Sequence, residues 1–188
     1  KSLSTKYRQA LATLVLISVA FLYNSIEWYD CCFVLSFFSN TNLSRVMFVA
    51  ILHRIDGEKE EGECKFEDVP SGAYYEKAVA WASTNGIVAG ISATEFNPNA
   101  DITRGQMAAI LYRYANYKKI DTQVGDNTNI LSYDDYNDIS EYAIPSMQWA
   151  TGSGLMVGKT DTTLNPKDNA TRAEAAAVFM RFVENFND

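Results

Sequence analysis

Three arginines recur in one setting: Arg45 follows Ser44, Arg104 follows Thr103 and Arg172 follows Thr171. A hydroxyl residue ahead of an apolar-periodic run is an N-cap, so each arginine takes the first helical position. A cation there opposes the helix macrodipole, at a cost of a few tenths to about 1 kcal/mol. Three copies of an unfavourable choice need a reason. A guanidinium fork beside free amide donors at a helix N-terminus suits a carboxylate or phosphate. The competing role is a structural pair with a neighbouring acid such as Asp68, Asp101 or Asp138. Trp81 and Trp149 also have two roles open to them: sugar-stacking platforms, or core residues on the apolar stripe of a short helix. Gly90 and Gly158 fit loop positions of positive φ, with close approach of a ligand as their second use. Arg54, Arg113 and Arg181 stand late in their helices, where the dipole favours cations, and need no functional explanation.

Catalysis finds little support. The single histidine, His53, sits in an apolar helical run and reads as a half-buried packing residue rather than a base. The cluster Asp134-Asp135-Tyr136-Asn137-Asp138 has the flavour of a calcium loop, but Ile139 or Ser140 stands where that loop needs Gly, and the later bidentate Glu is missing. Asp138 is read instead as the start of a repeat unit, matching Asp68. Cys31, Cys32 and Cys64 have no CxxC spacing, so neither a disulfide framework nor a zinc site is supported. We assign no catalytic residue, metal or cofactor. With 16 Lys plus Arg against 23 Asp plus Glu, the net charge of -7 excludes a general electrostatic grip on nucleic acid. Any bound anion needs a local basic spot.

The elements that position these residues repeat. Val79 to Arg113 returns without a gap 68 residues later as Met147 to Arg181, bringing Trp81 onto Trp149, Gly90 onto Gly158, Asn97-Pro98 onto Asn165-Pro166 and Thr103-Arg104 onto Thr171-Arg172. A partial third copy lies 59 residues upstream, where Ser44-Arg45 and Val49 to Arg54 align with Thr103-Arg104 and Ala108 to Arg113. Such periods mark an array of supersecondary units. Each unit reads as helix, Gly-bounded loop, helix. In the second unit Tyr74, Ala78, Trp81 and Ala82 fall at helical spacing, and Asn85-Gly86 supplies a left-handed stop. Met107, Ile110, Leu111 and Tyr114 form the stripe of the second helix. Thr103-x-x-Gln106 and Thr171-x-x-Glu174 are capping boxes; Met47 cannot complete one with Ser44. Two helices with one apolar face each cannot be buried alone, so units must stack.

These patterns divide the chain into a divergent apolar segment (1–36), a partial first repeat (37–62), a second repeat (63–119), a polar linker (120–132) and a third repeat (133–188). The run Ala10 to Tyr23 follows Lys1, Lys6 and Arg8 and fits either a signal or membrane remnant or a buried substitute helix. No Gly or Pro occurs before Gly57, so the segment lacks the turn residues of its siblings. A membrane enters only if residues 10–23 are a retained signal or anchor.

Phe66-x-Asp68-Val69, Trp81-Ala82, Gly86-Ile87-x-x-Gly90, Phe96-x-Pro98 and Ile102-Thr103-Arg104-Gly105-Gln106 resemble the S-layer homology domain. The third unit is similar to it through Tyr136-x-Asp138-Ile139, Trp149-Ala150, Gly154-Leu155-x-x-Gly158 and Thr171-Arg172-Ala173-Glu174. The resemblance implies a mainly α fold, with tandem helix-loop-helix repeats in a pseudo-threefold spindle. It also implies a non-catalytic module of a secreted bacterial protein, read as its C-terminal part, that binds pyruvylated secondary cell-wall polysaccharide in grooves between repeats at the cell surface. Arg104 and Arg172 then fall on the arginine of the family's Thr-Arg-Ala-Glu motif, which contacts the ligand. The residues expected at the ligand are Arg45, Arg104, Arg172, Trp81, Trp149, Thr103, Thr171, Gln106, Glu174, Gly90 and Gly158. Removing the arginines is expected to weaken binding with little loss of stability. Alternatives are a repeat scaffold for protein assembly, with lateral self-association, and an accessory fragment of a wall hydrolase.

Overall fold

The computed structural model describes residues 40–60, 62–123 and 128–186. Within them the helices are α1 (Arg45–Ile55), α2 (Glu76–Thr84), α3 (Arg104–Tyr117), α4 (Ile144–Gly152) and α5 (Arg172–Phe186). Short 3-10 turns at Ile130–Ser132, Tyr136–Asp138 and Glu141–Ala143 lead into α4, and isolated β-bridges stand in place of strands. The fold is mainly α, as the repeat implies. The run Ala10 to Tyr23, with Cys31, Cys32 and the rest of 1–39, lies outside the described residues, as do 124–127 of the linker. Among the described residues no helix is long and apolar enough to cross a membrane.

The caps act as their sequence dictates. Thr103 Oγ1 accepts from Gln106 N at 3.2 Å while Gln106 Oε1 accepts from Thr103 N at 3.2 Å. Thr171 and Glu174 exchange the same pair of bonds. Ser44 accepts from Met47 N at 3.4 Å, with no return bond from Met47. Downstream, Met107, Ile110, Leu111 and Tyr114 are all buried on one face of α3. Gly86 and Gly154, at φ 68° and 72°, end α2 and α4 in the left-handed conformation that a Cβ would oppose.

Packing runs between units. The second helix of one unit lies on the first helix of the next: α1 packs on α2, and α3 on α4. The cap segments meet in a closed ring of backbone hydrogen bonds, in which Leu43 N donates to Ala170 O (2.9 Å), Ala170 N to Ile102 O (2.8 Å) and Ile102 N to Leu43 O (2.9 Å). These three residues hold the same repeat position and are fully buried. Beside the ring, Phe48 of α1 stacks on Phe179 of α5 at 4.6 Å. At the far end of α1 the buried Asp56 accepts from Tyr114 Oη (3.0 Å) and Lys118 Nζ (2.8 Å) and pairs with Lys59 (2.9 Å), so one carboxylate joins the first unit to the second.

A candidate groove between repeat units

The amides at the helix starts are already taken. Arg104 N donates to Asp168 O and Gly105 N to Pro166 O; Gln106 N and Met107 N go to Thr103. In α1, Arg45 N meets Ala100 O and Val46 N meets Pro98 O. Arg172 N reaches Thr41 O. Each unit thus caps its predecessor's helix with loop carbonyls. This corrects the expectation of free helix-end donors for an anion: the orphan amides that would bind it are satisfied by the next repeat.

The arginines follow the same route. Arg104, 4% exposed, donates Nε to Leu164 O (2.8 Å), Nη2 to Val157 O (2.7 Å) and Nη1 to Glu174 Oε1 (3.0 Å). Its ion-pair partner is Glu174, and not Asp68, Asp101 or Asp138. Arg45 repeats the pattern one unit earlier, with Nε to Phe96 O (3.2 Å) and Nη2 to Ala89 O (3.1 Å), its guanidinium 4.9 Å over the Phe96 ring. These bolts between units explain a cation at the first helical turn, because the carbonyls it serves outweigh the small dipole cost. Arg172 lies against Met47 of α1. Burial of Arg104 and its three internal bonds argue against the expectation that it is removable without loss of stability.

Other expected site residues move into the scaffold. Trp81 and Trp149 are buried, Trp81 among His53, Tyr114 and Tyr117 and Trp149 between Tyr112 and Phe186, so neither offers a face to a sugar. His53 is a packing residue whose Nε2 lies 2.8 Å from Lys59 O. Gly90 and Gly158 do not have positive φ. A Cβ at Gly90 would be driven into the carbonyls of Ser92 and Glu95, and at Gly158 into those of Thr160 and Thr163, so loop closure itself demands glycine. Asp138 is not the counterpart of Asp68. Asp68 clamps Phe96 N (2.8 Å) and Asn97 N (2.6 Å), whereas Asp135 clamps Leu164 N (2.9 Å) and Asn165 N (2.6 Å). A one-residue difference in spacing before α4 hides this match. Asp138 is exposed and meets Lys167. Thr103 and Thr171 serve as caps.

A cleft of about 300 Å³ opens where α1, the loop at 88–91, α3 and the turn before α4 converge, lined among others by Arg45, Gly90, Ile91, Gln106, Arg113 and Tyr142. A second of about 360 Å³ continues along α3, sharing Arg113 and Tyr142 and adding Tyr112 and Asn116. Gln106, Ala109, Arg113 and Asn116 follow one another at helical spacing on that face. The structure therefore brings Arg45, Gln106 and Gly90 together, and adds Arg113 and Tyr142, which sequence reasoning missed. Arg113 was detectable, two turns after Gln106. Tyr142 arrives from the next unit, which no local pattern announces. Among the described residues the Arg113 side chain has no hydrogen-bond or ion-pair partner. Burial pulls Arg45 below the ordinary arginine pKa; Tyr142 opposes this, the like charge of Arg113 adds to it, and Asp68 opposes it least. Among the described residues no cluster of His, Cys, Asp and Glu could hold a metal ion.

The S-layer homology domain matches residues 65–108 and 132–176. Among curated proteins the chain is 34% identical over 148 residues to an amylopullulanase of Thermoanaerobacterium thermosulfurigenes, covering 77% of this chain and 8% of that one. It is 33% identical over 129 residues to a surface-layer 125 kDa protein of Lysinibacillus sphaericus, covering 66% and 10%. An exoglucanase XynX of Acetivibrio thermocellus matches at 31% over 147 residues, covering 78% and 13%. The chain thus spans 8–13% of the length of these relatives.

Proposed function

Because the chain belongs to the S-layer homology domain family, we propose that it is a non-catalytic wall-anchoring module that holds pyruvylated secondary cell-wall polysaccharide in the cleft between α1 and α3. In this way it tethers a secreted bacterial protein to the cell surface. The observation that carries the reading is the cleft's composition: among the described residues, Arg45 and Arg113 line it and no acid does, next to the exposed ring of Tyr142. A pyruvyl carboxylate accepts from the guanidinium donors while a sugar face lies on Tyr142, with Ile91 as an apolar border. On a chain of net charge -7 this is a local basic spot. The ring at Leu43, Ile102 and Ala170 supports a pseudo-threefold arrangement of the units. The relatives' names add support. A surface-layer protein and two polysaccharide-degrading enzymes have no reaction in common, and attachment to the cell surface is a need they can share.

The test is retention on purified wall sacculi before and after chemical removal of the non-peptidoglycan polymer. Retention on intact sacculi and release from stripped ones is expected. Equal retention on both, or on neither, would overturn the reading.

A further inference from the structure

Asn85 and Ser153 are counterparts at the ends of α2 and α4, and each caps its helix in the same way. Asn85 Nδ2 donates to Trp81 O at 2.9 Å and Ser153 Oγ to Trp149 O at 2.7 Å. The glycine that follows donates its amide back as well, Gly86 N to Ser83 O at 3.2 Å and Gly154 N to Thr151 O at 3.1 Å. A hydroxyl therefore meets the needs of this turn. The amide of Asn85 adds a reactivity that Ser153 lacks, because its Cγ is an electrophile and the next residue, having no side chain, lets its main-chain nitrogen approach. Asn85 is the one asparagine of the sequence that precedes a glycine. Asp56 is the one aspartate that does, and Lys118, Lys59 and Tyr114 hold it as a carboxylate, which resists nucleophilic attack.

Space for the reaction is present: Gly86 is exposed, and a Cβ there would meet no atom within 4 Å. The hydrogen bonds that restrain the pair lie at a helix end, where fraying needs the least energy. We propose that Asn85 is a site of spontaneous modification, deamidation through a cyclic imide with Gly86, which proceeds when the last turn of α2 frays. Gly86 N loses its proton and bonds to Asn85 Cγ; the Cγ–Nδ2 bond breaks, and the nitrogen leaves with that proton as ammonia. Water then adds to either imide carbonyl, giving aspartate or an isoaspartyl link in the main chain. Both products replace the donor to Trp81 O by a carboxylate oxygen that repels it, so the stop cannot re-form as before. Asn85 and Gly86 line the second cleft with Arg113, and each event adds a carboxylate to a lining that has no acid among the described residues. Nothing in this chemistry depends on what the cleft holds.

The experiment incubates the full chain in mildly alkaline water enriched in heavy oxygen and locates the incorporated oxygen by proteolysis and fragmentation mass spectrometry. Incorporation at residue 85 is expected, with release of ammonia. Asn85→Ser, which installs the side chain of the third repeat, is expected to abolish it while keeping the cap. Folded protein is expected to react about ten to a hundred times more slowly than the urea-unfolded chain, the scale of a pair of ordinary hydrogen bonds. Sub-denaturing urea is expected to leave the folded rate unchanged, since fraying one turn exposes little surface. Aged wild type is expected to unfold at a lower urea midpoint than fresh protein, and aged Asn85→Ser at the same one. A folded chain that stays unlabelled while the unfolded one reacts, or labelling at another asparagine in place of residue 85, overturns the proposal. A folded rate that climbs with urea in step with global unfolding overturns the fraying gate, and labelled protein with an unshifted midpoint overturns the effect on the turn.

Discussion

Deleting the Arg104 side chain would strand two carbonyls and the Glu174 carboxylate in the joint between the second and third units. Buried acceptors that lose a charged donor cost more than the bond is worth when made, so Arg104→Ala is expected to destabilise by about 3 kcal/mol. Arg113→Ala removes no internal bond and is expected to stay within about 0.5 kcal/mol of the wild type. Urea unfolding of the two variants checks this contrast, and an Arg104→Ala midpoint equal to that of Arg113→Ala would contradict it. Arg104, at the helix start, bonds to the protein's own acceptors, while Arg113, late in the same helix, lines the cleft. Residue type told that a guanidinium needs acceptors; only burial told whether they are the protein's own.

At the scale of the helix, the capping boxes were legible because they are local, depending on residues three apart. Thr103→Ala and Thr171→Ala are each expected to cost about 0.5–2 kcal/mol, and Ser44→Ala less, since its bond is long and unreciprocated. Thermal unfolding that ranks Ser44→Ala as the most damaging of the three would sink this order. The loops were less legible. Asn97 and Asn165, at φ 58° and 53°, are held in left-handed backbone by the clamps of Asp68 and Asp135, and a carboxylate 28 to 30 residues from its amides leaves no short-range signal. That is why the pattern Tyr136-x-Asp138-Ile139, which copies Phe66-x-Asp68-Val69, points to Asp138 although Asp135 makes the clamp.

For the whole molecule, the node at Asp56 sets the response to acid. Burial pushes its carboxyl upward, but the hydrogen bonds from Lys118, Lys59 and Tyr114 together hold it below the ordinary aspartate value. Glu174 is shifted down in the same sense, its burial outweighed by Thr171, Arg104 and Lys159. Carboxyls with depressed folded pKa values contribute stability that is fully present above the unfolded value and is lost as pH falls through the folded one. Stability is therefore expected to fall below about pH 4, and Asp56→Asn to be less stable at neutral pH with a shallower acid slope. Unfolding midpoints measured from pH 6 to pH 2 decide this; an unchanged slope in Asp56→Asn assigns the acid response elsewhere. Removal of residues 1–39 is expected to leave a helical, soluble chain with the α1–α3 cleft intact. Circular dichroism and retention on wall sacculi test it, and hydrogen exchange that finds residues 10–23 the best protected part of the full chain would refute it.

The sequence alone determined the repeat, the helices and their caps, because periodicity and capping act over three or four residues and survive in one dimension. It also placed the chain in its family, through Trp, Gly and Thr-Arg positions whose reasons for being there are structural. Which of those residues line a cleft and which are buried was decided by the tertiary structure. Each unit closes its predecessor's helix with its own loop carbonyls, an arrangement that turns Arg104 into a bolt, buries both tryptophans and brings Tyr142 to Arg113 across a unit boundary. Contacts between residues tens of positions apart have no signature in local pattern, and in this protein the groove is made almost wholly of such contacts.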